Sequence, residues 1–406
     1  MKIKKAYKFR LKTTVKIEEQ FLQFAGCCRK VWNLVLALSL RRLADKQGII
    51  WYHEADFWVK LWKQSEEYGF LRECPAQLLQ QKLKDLDKAF RDGFDKSQPG
   101  KRIPTWRERG KHDNFRFPQH FKLENRRIFL PKVGWVGYFK SQSIKGTPKN
   151  VTVSRKGKHW YMSVQVEQEA PDIAVHPSKS AVGIDLGVNV FAALSDGNEI
   201  RPIDAFRCHE KKLVVLQRQL SRKKRFSENW KKQVDKIRNC HQKIYHIRND
   251  FLQKESTKLS HNHAMIVVED LKIKNMSQSA SGNLERPGKK VKAKSGLNKS
   301  ILDQGWGEFK RQLSYKLEWL GGIFLEVNPK YTSQTCHRCK FSDKGNRKTQ
   351  SLFHCMRCNH IGNADTNAAK NILAAGHAVL ACGEMVRLGR SMKQEPLGIG
   401  DLVPAY

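Results

Sequence analysis

The sequence predicts a multidomain α/β protein, and three observations point to it. The chain has 406 residues, 40% of them hydrophobic, too many for one simple core and enough to fill several. Short alternating or wholly apolar strand patterns are interspersed with long stretches of helical spacing. Near the C-terminus two Cys-x-x-Cys pairs mark a small module held by a metal.

The charge balance narrows the partners. Lys plus Arg outnumber Asp plus Glu by 76 to 39, a formal net charge of +37. Such an excess repels itself, and a polyanion is its natural complement, nucleic acid before an anionic membrane. No apolar run reaches the roughly 20 residues needed to span a bilayer, and Met1-Lys2-Ile3-Lys4-Lys5 leads into no signal-type apolar region. The expectation is a soluble, intracellular protein.

Residues 3–11 set Ile3, Tyr7, Phe9 and Leu11 against Lys4, Lys8 and Arg10, a half-exposed strand with one basic face. Thr14 is placed to cap a helix, with Glu18 and Glu19 in its first turn, running to about Lys46 with Phe21, Phe24, Cys28, Val31 and Val35 buried. Two more helices are expected, over 54–65 and 77–95. Residues 99–117 read as a linker in which Trp106, Phe115 and Phe117 alternate with Arg107, Arg109, Lys111 and Arg116. Its aromatics either stack bases or anchor a surface loop. Short strands follow at 127–130, 135–138, 150–154 and 161–167, separated by Gly and Pro, as in a small barrel or sandwich that the first strand joins.

After an expected linker at 171–179, residues 181–189 form an apolar strand carrying Asp185 and then a Gly turn. A second strand follows at 191–197. A carboxylate in such a strand needs a metal or a cation, unless it merely caps the turn. Residues 211–259 are basic and helical, with Trp230, Val234, Ile237, His241 and Ile244 as the expected apolar stripe and a bend at 221–229. Arg222, Lys223, Lys224, Arg225, Lys231 and Lys232 form a candidate nucleic-acid wall. Residues 264–271 make a second apolar strand ending in Glu269 and Asp270, which point to opposite faces. Residues 276–300 look mobile. A helix over 301–320 should bury Leu302, Trp306, Phe309, Leu313, Leu317 and Leu320, and a strand follows at 323–327.

Cys336 and Cys339 are followed, after fifteen residues, by Cys355 and Cys358. Four thiolates so spaced suit a closed, structural, tetrahedral Zn²⁺ site. The other cysteines (Cys27, Cys28, Cys74, Cys208, Cys240 and Cys382) show no ligand spacing and are expected to pack. Asp365 opens a further helix at 363–369. Asp185, Glu269 and Asp365 are thus three acids suited to hard divalent metals, although the sequence alone does not bring them together.

Four stretches carry a family resemblance: GIDLGVN at 183–189, VVEDL at 267–271, NPKYTSQTCHRC at 328–339 and NADTNAA at 363–369. With DQGWGEFKRQLSYK at 303–316 and Arg29-Lys30-Val31-Trp32-Asn33, the chain resembles TnpB, the RNA-guided nuclease of bacterial insertion sequences related to type V CRISPR effectors. The resemblance implies an RNase H-like (RuvC) core at 179–330 and 361–382, with a basic helical hairpin and a zinc ribbon inserted at 331–360. It further implies a wedge β-barrel made of 1–11 and 112–178, a helical recognition domain at 12–111 and a tail at 383–406 expected to be disordered. Asp185, Glu269 and Asp365 would be a Mg²⁺-binding catalytic triad. A guide RNA would pair with double-stranded target DNA, and the protein would read a short adjacent motif. Gln77, Gln80, Gln81 and Gln119 are candidates for that reading, since amides can pair with base edges. The expected setting is one protein per RNA in the bacterial cytoplasm, associated with the nucleoid. Rival readings are a transposase that transfers strands, an RNA-guided repressor that does not cut, and a zinc-ribbon DNA-binding module.

Overall fold

The computed structural model describes residues 2–169, 176–283 and 286–381. The chain divides into two compact units, Met1–Pro171 and Asp172–Tyr406. Cys382, the tail and residues 170–175 of the expected linker lie outside the described residues.

The first unit contains β1 (Lys2–Lys12), α1 (Val15–Ala44), α2 (Tyr52–Gln64), α3 (Ala76–Phe94), β2 (Asn114–Phe117), β3 (Lys122–Leu123), β4 (Arg127–Leu130), β5 (Gly134–Tyr138), β6 (Thr147–Lys156) and β7 (His159–Glu169). The strands form one antiparallel sheet in the order β2-β6-β7-β1-β5-β4-β3. The alternation read in β1 holds: Phe9 and Leu11 are buried, while Lys4, Lys8 and Arg10 face water. Thr14 caps α1 by accepting from the Ile17 amide, and every residue expected on the helix's buried side is buried. Phe21 of α1 meets Phe115 at 5.5 Å and Trp160 at 5.1 Å, so the helix packs on the apolar face of the sheet.

Phe115 and Phe117 do not wait for bases. They are fully buried in β2, because alternation over four residues makes a strand where composition suggested a linker. The preceding loop is strapped to α1. The Trp32 indole donates to the Thr105 carbonyl at 3.1 Å, Asn33 exchanges two hydrogen bonds with the Arg107 backbone, and Arg29 pairs with Asp113 at 3.1 Å. The Arg107 guanidinium lies 3.7 Å over the Trp32 ring. These contacts favour the anchoring reading of the loop, with Trp106 left exposed.

The second unit contains β8 (Ala181–Asp185), β9 (Ala192–Leu194), β10 (Glu199–Ile200), α4 (Ala205–Ser221), α5 (Glu228–Asn262), β11 (Met265–Glu269), α6 (Ile273–Met276), α7 (Val291–Gln304), α8 (Trp306–Leu320), β12 (Ile323–Val327), β13 (Leu352–His354), β14 (Ile361–Asn363) and α9 (Ala364–Ala381). Its main sheet runs β10-β9-β8-β11-β12, with β8, β11 and β12 parallel and β9 and β10 antiparallel. One face packs Ile184, Ile266 and Val268 with Leu252 and Leu259 of α5 and Phe309, Leu313 and Leu317 of α8. The other packs Met265, Val267, Leu325 and Val327 against Ile372 of α9. Strands covered on both faces read as apolar runs, and these two do.

Several expectations need correction here. Residues 291–300 are helical, tied down by Asn298, which donates to the Ser277 and Gln278 carbonyls at 3.1 and 3.0 Å. The single helix expected over 301–320 is broken at Gly305, whose φ of +73° leaves helical geometry and restarts the phase. Leu302 therefore falls outside the buried stripe and is exposed. On α5 Ile244 is buried as expected and Trp230, Val234 and Ile237 are half-buried, but Gln233 and Cys240 take the innermost places and His241 faces solvent. Gln233 takes the inner place because its amide donates to the Leu216 carbonyl at 2.9 Å and Gln219 Oε1 at 3.0 Å. Cys208 is exposed on α4, while Cys27, Cys28, Cys74 and Cys240 are buried as expected.

The packing of α9 on the sheet depends on small residues. A Cβ on Gly183 would lie 2.1 Å from the Ala369 carbonyl oxygen and 2.6 Å from the Leu373 nitrogen. Both atoms belong to backbone, so nothing can yield locally. Gly183→Ala should destabilise the chain by about 3 kcal/mol. Gly296→Ala, in α7 with open space around it, should stabilise by up to about 1 kcal/mol. Urea denaturation of both variants checks the contrast; equal effects would mean that α9 does not need the close approach.

Candidate metal centres and acidic cluster

Two parallel strands bring the first two acids together. The register pairs Val268 with Ile184, so Glu269 and Asp185, the next residue on each strand, end neighbouring strands at the same edge. The outer side of the carboxyl ends of parallel strands is where open α/β sheets build their sites. Asp365 arrives from α9. Asn363 Oδ1 accepts from the Asp365 and Thr366 amides at 2.8 and 3.1 Å, which starts the helix and sets Asp365 in its first turn. The close seat of α9 at Gly183 brings that turn to the same edge.

The electrostatics register the crowding. Burial, then the charges of Glu269 and Asp365, push the Asp185 carboxyl up to about 7, against the pull of Arg347. Burial raises Glu269, opposed by the Thr332 hydroxyl, and burial raises Asp365, opposed by Arg347. Asp270 follows Glu269 out of the strand, its amide donating to the Val327 carbonyl at 2.8 Å.

Four further side chains shape this edge and were not singled out from sequence. Thr332 Oγ1 donates to Glu269 Oε1 at 2.6 Å. Arg347 Nη2 reaches Asp365 Oδ1 at 3.1 Å. Lys310 is buried between Glu326 and the Glu269 carbonyl. Glu199 adds negative charge near Asp365. Thr332 and Lys310 fall within stretches that carried the family resemblance; Arg347 and Glu199 had no signal in the sequence.

The second centre is the cysteine cluster. Cys336 Sγ lies 3.7 Å from Cys358 Sγ, and Cys339 Sγ lies 3.5 Å from Cys355 Sγ. All four sulfurs fall within 4.8 Å of one another. Tetrahedral zinc with Zn–S near 2.3 Å separates its sulfurs by about 3.8 Å, so the donors fit. Although burial opposes its charge, the Cys358 and Arg357 amides and neighbouring thiols pull the Cys355 thiol down to about 6. The cluster is buttoned to α9. Asn367 Oδ1 accepts from both the His337 amide and His337 Nδ1 at 3.0 Å, and Asn367 Nδ2 donates to the Thr335 carbonyl at 2.8 Å.

The nucleic-acid candidates are spread over both units. Arg222, Lys224, Arg225, Lys231 and Lys232 are exposed and Lys223 half-exposed, all on or beside the turn joining α4 and α5. Lys231 pairs with Glu228 at 2.6 Å, and Arg225 lies over the exposed ring of Phe226 at 4.9 Å. Gln77, Gln80 and Gln81 are half-buried on α3, and Gln119 is exposed after β2. No described helix is long and apolar enough to cross a membrane.

Comparison with known proteins adds the following. Residues 162–280 match a family described as "Probable transposase", residues 306–372 a "Cas12f1-like, TNB domain", and residues 1–47 a "Helix-turn-helix domain". The chain is 50% identical over 398 residues to the putative RNA-guided DNA endonuclease InsQ of Escherichia coli, covering 98% of each. It is 29% identical to a putative RNA-guided DNA endonuclease of Streptomyces pristinaespiralis, covering 97% of this chain and 96% of that one. The fold is similar to that of Cas12f1 in a complex with sgRNA and target DNA, at TM-score 0.53 and 15% identity over 91% of this chain and 98% of that one.

Two expectations follow. Purified protein should carry about one zinc, and Cys336→Ser should lose it and lower the stability of the second unit; metal analysis finding folded protein without zinc would remove the assignment. The raised Asp185 has its own sign. Folded Asp185 keeps its proton to near pH 7, whereas an unfolded aspartate loses it near 3.9. The folded state thus holds more protons in that window, and stability falls as pH rises through it. In magnesium-free buffer Asp185→Asn should therefore gain stability over the wild type at pH 8, by more than about 1 kcal/mol, and little at pH 4. Equal gains at both pH values would contradict the shift.

Proposed function

The chain belongs to the TnpB family, and from that premise we propose that it is an RNA-guided DNA endonuclease of an insertion sequence, with its partners a guide RNA and double-stranded target DNA. One observation carries the assignment of its cutting site. Asp185 and Glu269 end adjacent parallel strands, with Asp365 close enough to raise Asp185. Carboxylates that repel one another do not serve stability, and hard oxygen donors suit Mg²⁺. Asp185, Glu269 and Asp365 would hold the metal ions. When bound, they supply positive charge to phosphate oxygens and activate the attacking water.

The five-stranded sheet with α9 is the RuvC-like core in this reading, and the cysteine module its zinc ribbon, with Cys336, Cys339, Cys355 and Cys358 holding structural Zn²⁺. The seven-stranded sheet is the wedge barrel, and the helices of residues 12–111 are the recognition domain. Arg222, Lys223, Lys224, Arg225, Lys231 and Lys232 bind guide-RNA phosphates. Gln77, Gln80, Gln81 and Gln119 read the motif beside the target. Sequence is read by base pairing to the guide, so the protein needs few base contacts of its own. Such an enzyme works in the cytoplasm, and a net charge of +37 supports association with the nucleoid.

Cleavage of a guide-matched duplex tests the site. Asp185→Ala, Glu269→Ala and Asp365→Ala should each cost orders of magnitude in rate while guided DNA binding persists. Asp270→Ala should be far milder, and EDTA should stop the wild type. Full cleavage by any of the first three variants would overturn the triad.

A further inference from the structure

We propose that Thr332 is a positioning residue for Glu269, presenting its carboxylate to the metal, and that Asn371 holds Thr332 in place. The inference rests on the metal-holding role given to Glu269 above. Thr332 and Glu269 are both only 8% exposed, so their contact is shielded from water. The hydroxyl lies 2.6 Å from Glu269 Oε1 and 3.0 Å from the Pro329 carbonyl. It has one proton, and the carboxylate is the stronger acceptor. A glutamate has three side-chain torsions, and a buried hydroxyl bonded to one oxygen narrows them, so the carboxylate is presented in one orientation.

Thr332 is itself held from two sides. Tyr331, just before it, sits at a φ of +64°, a left-handed conformation that costs a residue with a large side chain about 1 kcal/mol or more. Tyr331 is 65% exposed, so its own packing does not offset that cost. The turn it makes directs Thr332 inward. From α9, the buried Asn371 donates to the Thr332 carbonyl at 2.9 Å and to the Thr335 carbonyl at 2.6 Å. One chain of hydrogen bonds thus runs from the helix bearing Asp365, through the entry to the cysteine module, to Glu269. The module and the acids share a support.

The test compares Thr332→Val, which keeps the shape and loses the hydroxyl, with Thr332→Ser, which keeps the hydroxyl. Mn²⁺ binding to the guide-loaded protein is followed by electron paramagnetic resonance, and the Mg²⁺ dependence of cleavage in parallel. Thr332→Val should need about tenfold more Mn²⁺ for half-saturation, in the range seen when a group orienting a ligand is lost. Thr332→Ser should restore the wild-type midpoint, with zinc content and guided DNA binding unchanged in both. If the Val variant fails to fold, Thr332→Ala against Thr332→Ser decides in the same way. A hydroxyl-free variant with the wild-type Mn²⁺ midpoint overturns the proposal, as does a Ser variant no better than it. Glu269→Ala binding Mn²⁺ like the wild type would instead defeat the metal site itself, which is a separate failure.

Discussion

Negative charge crowded at the ends of two parallel strands is the constraint on which the second unit depends. Asp185 and Glu269 stand side by side because β8 and β11 run in register. Left alone, such a pair would shed charge by taking up protons, and the raised Asp185 shows that tendency. The surrounding residues answer it with a cation on Asp365, a hydroxyl on Glu269 and a buried lysine beneath the Glu269 backbone.

Holding that edge together requires close backbone contact. Helix α9 sits on β8 only because residue 183 has no side chain, and it crosses β11 at Gly376, where a Cβ would lie 2.4 Å from Val267 Cγ2. The amides of Asn367 and Asn371 on the same helix then clasp the cysteine module. A small cysteine module with a core of only a few residues gains its orientation from this clasp. Loss of the thiolate cluster would thereby reach the acids through Thr332 and Asn371.

The first unit follows simpler rules. Its sheet packs one apolar face against α1, so burial alternates along the central parts of its longer strands. Its loop before β2 looks like a nucleic-acid linker by composition, yet Trp32, Asn33 and Arg29 bind it as part of the fold. Cations and aromatics in one stretch do not separate the two uses; only the partner of each side chain does.

The sequence by itself marked most of the local elements and the cluster of four cysteines. Periods of two and 3.6 are set by burial of one face, and thiolate spacing is set by a four-residue turn. It also marked Asp185, Glu269 and Asp365, since an acid ending an apolar strand or opening a helix is conspicuous. What it could not decide was their meeting, which depends on strand register and on the seat of α9 across a separation of nearly two hundred residues. The inner place of Gln233 on α5 and the break at Gly305 escaped for a related reason. A buried Gln233 is tolerated only because particular carbonyls satisfy it, and a glycine's φ is free until its neighbours choose it. Thr332 meets Glu269 across 63 residues and Arg347 meets Asp365 across 18, and contacts between separate segments exist only once the chain has folded.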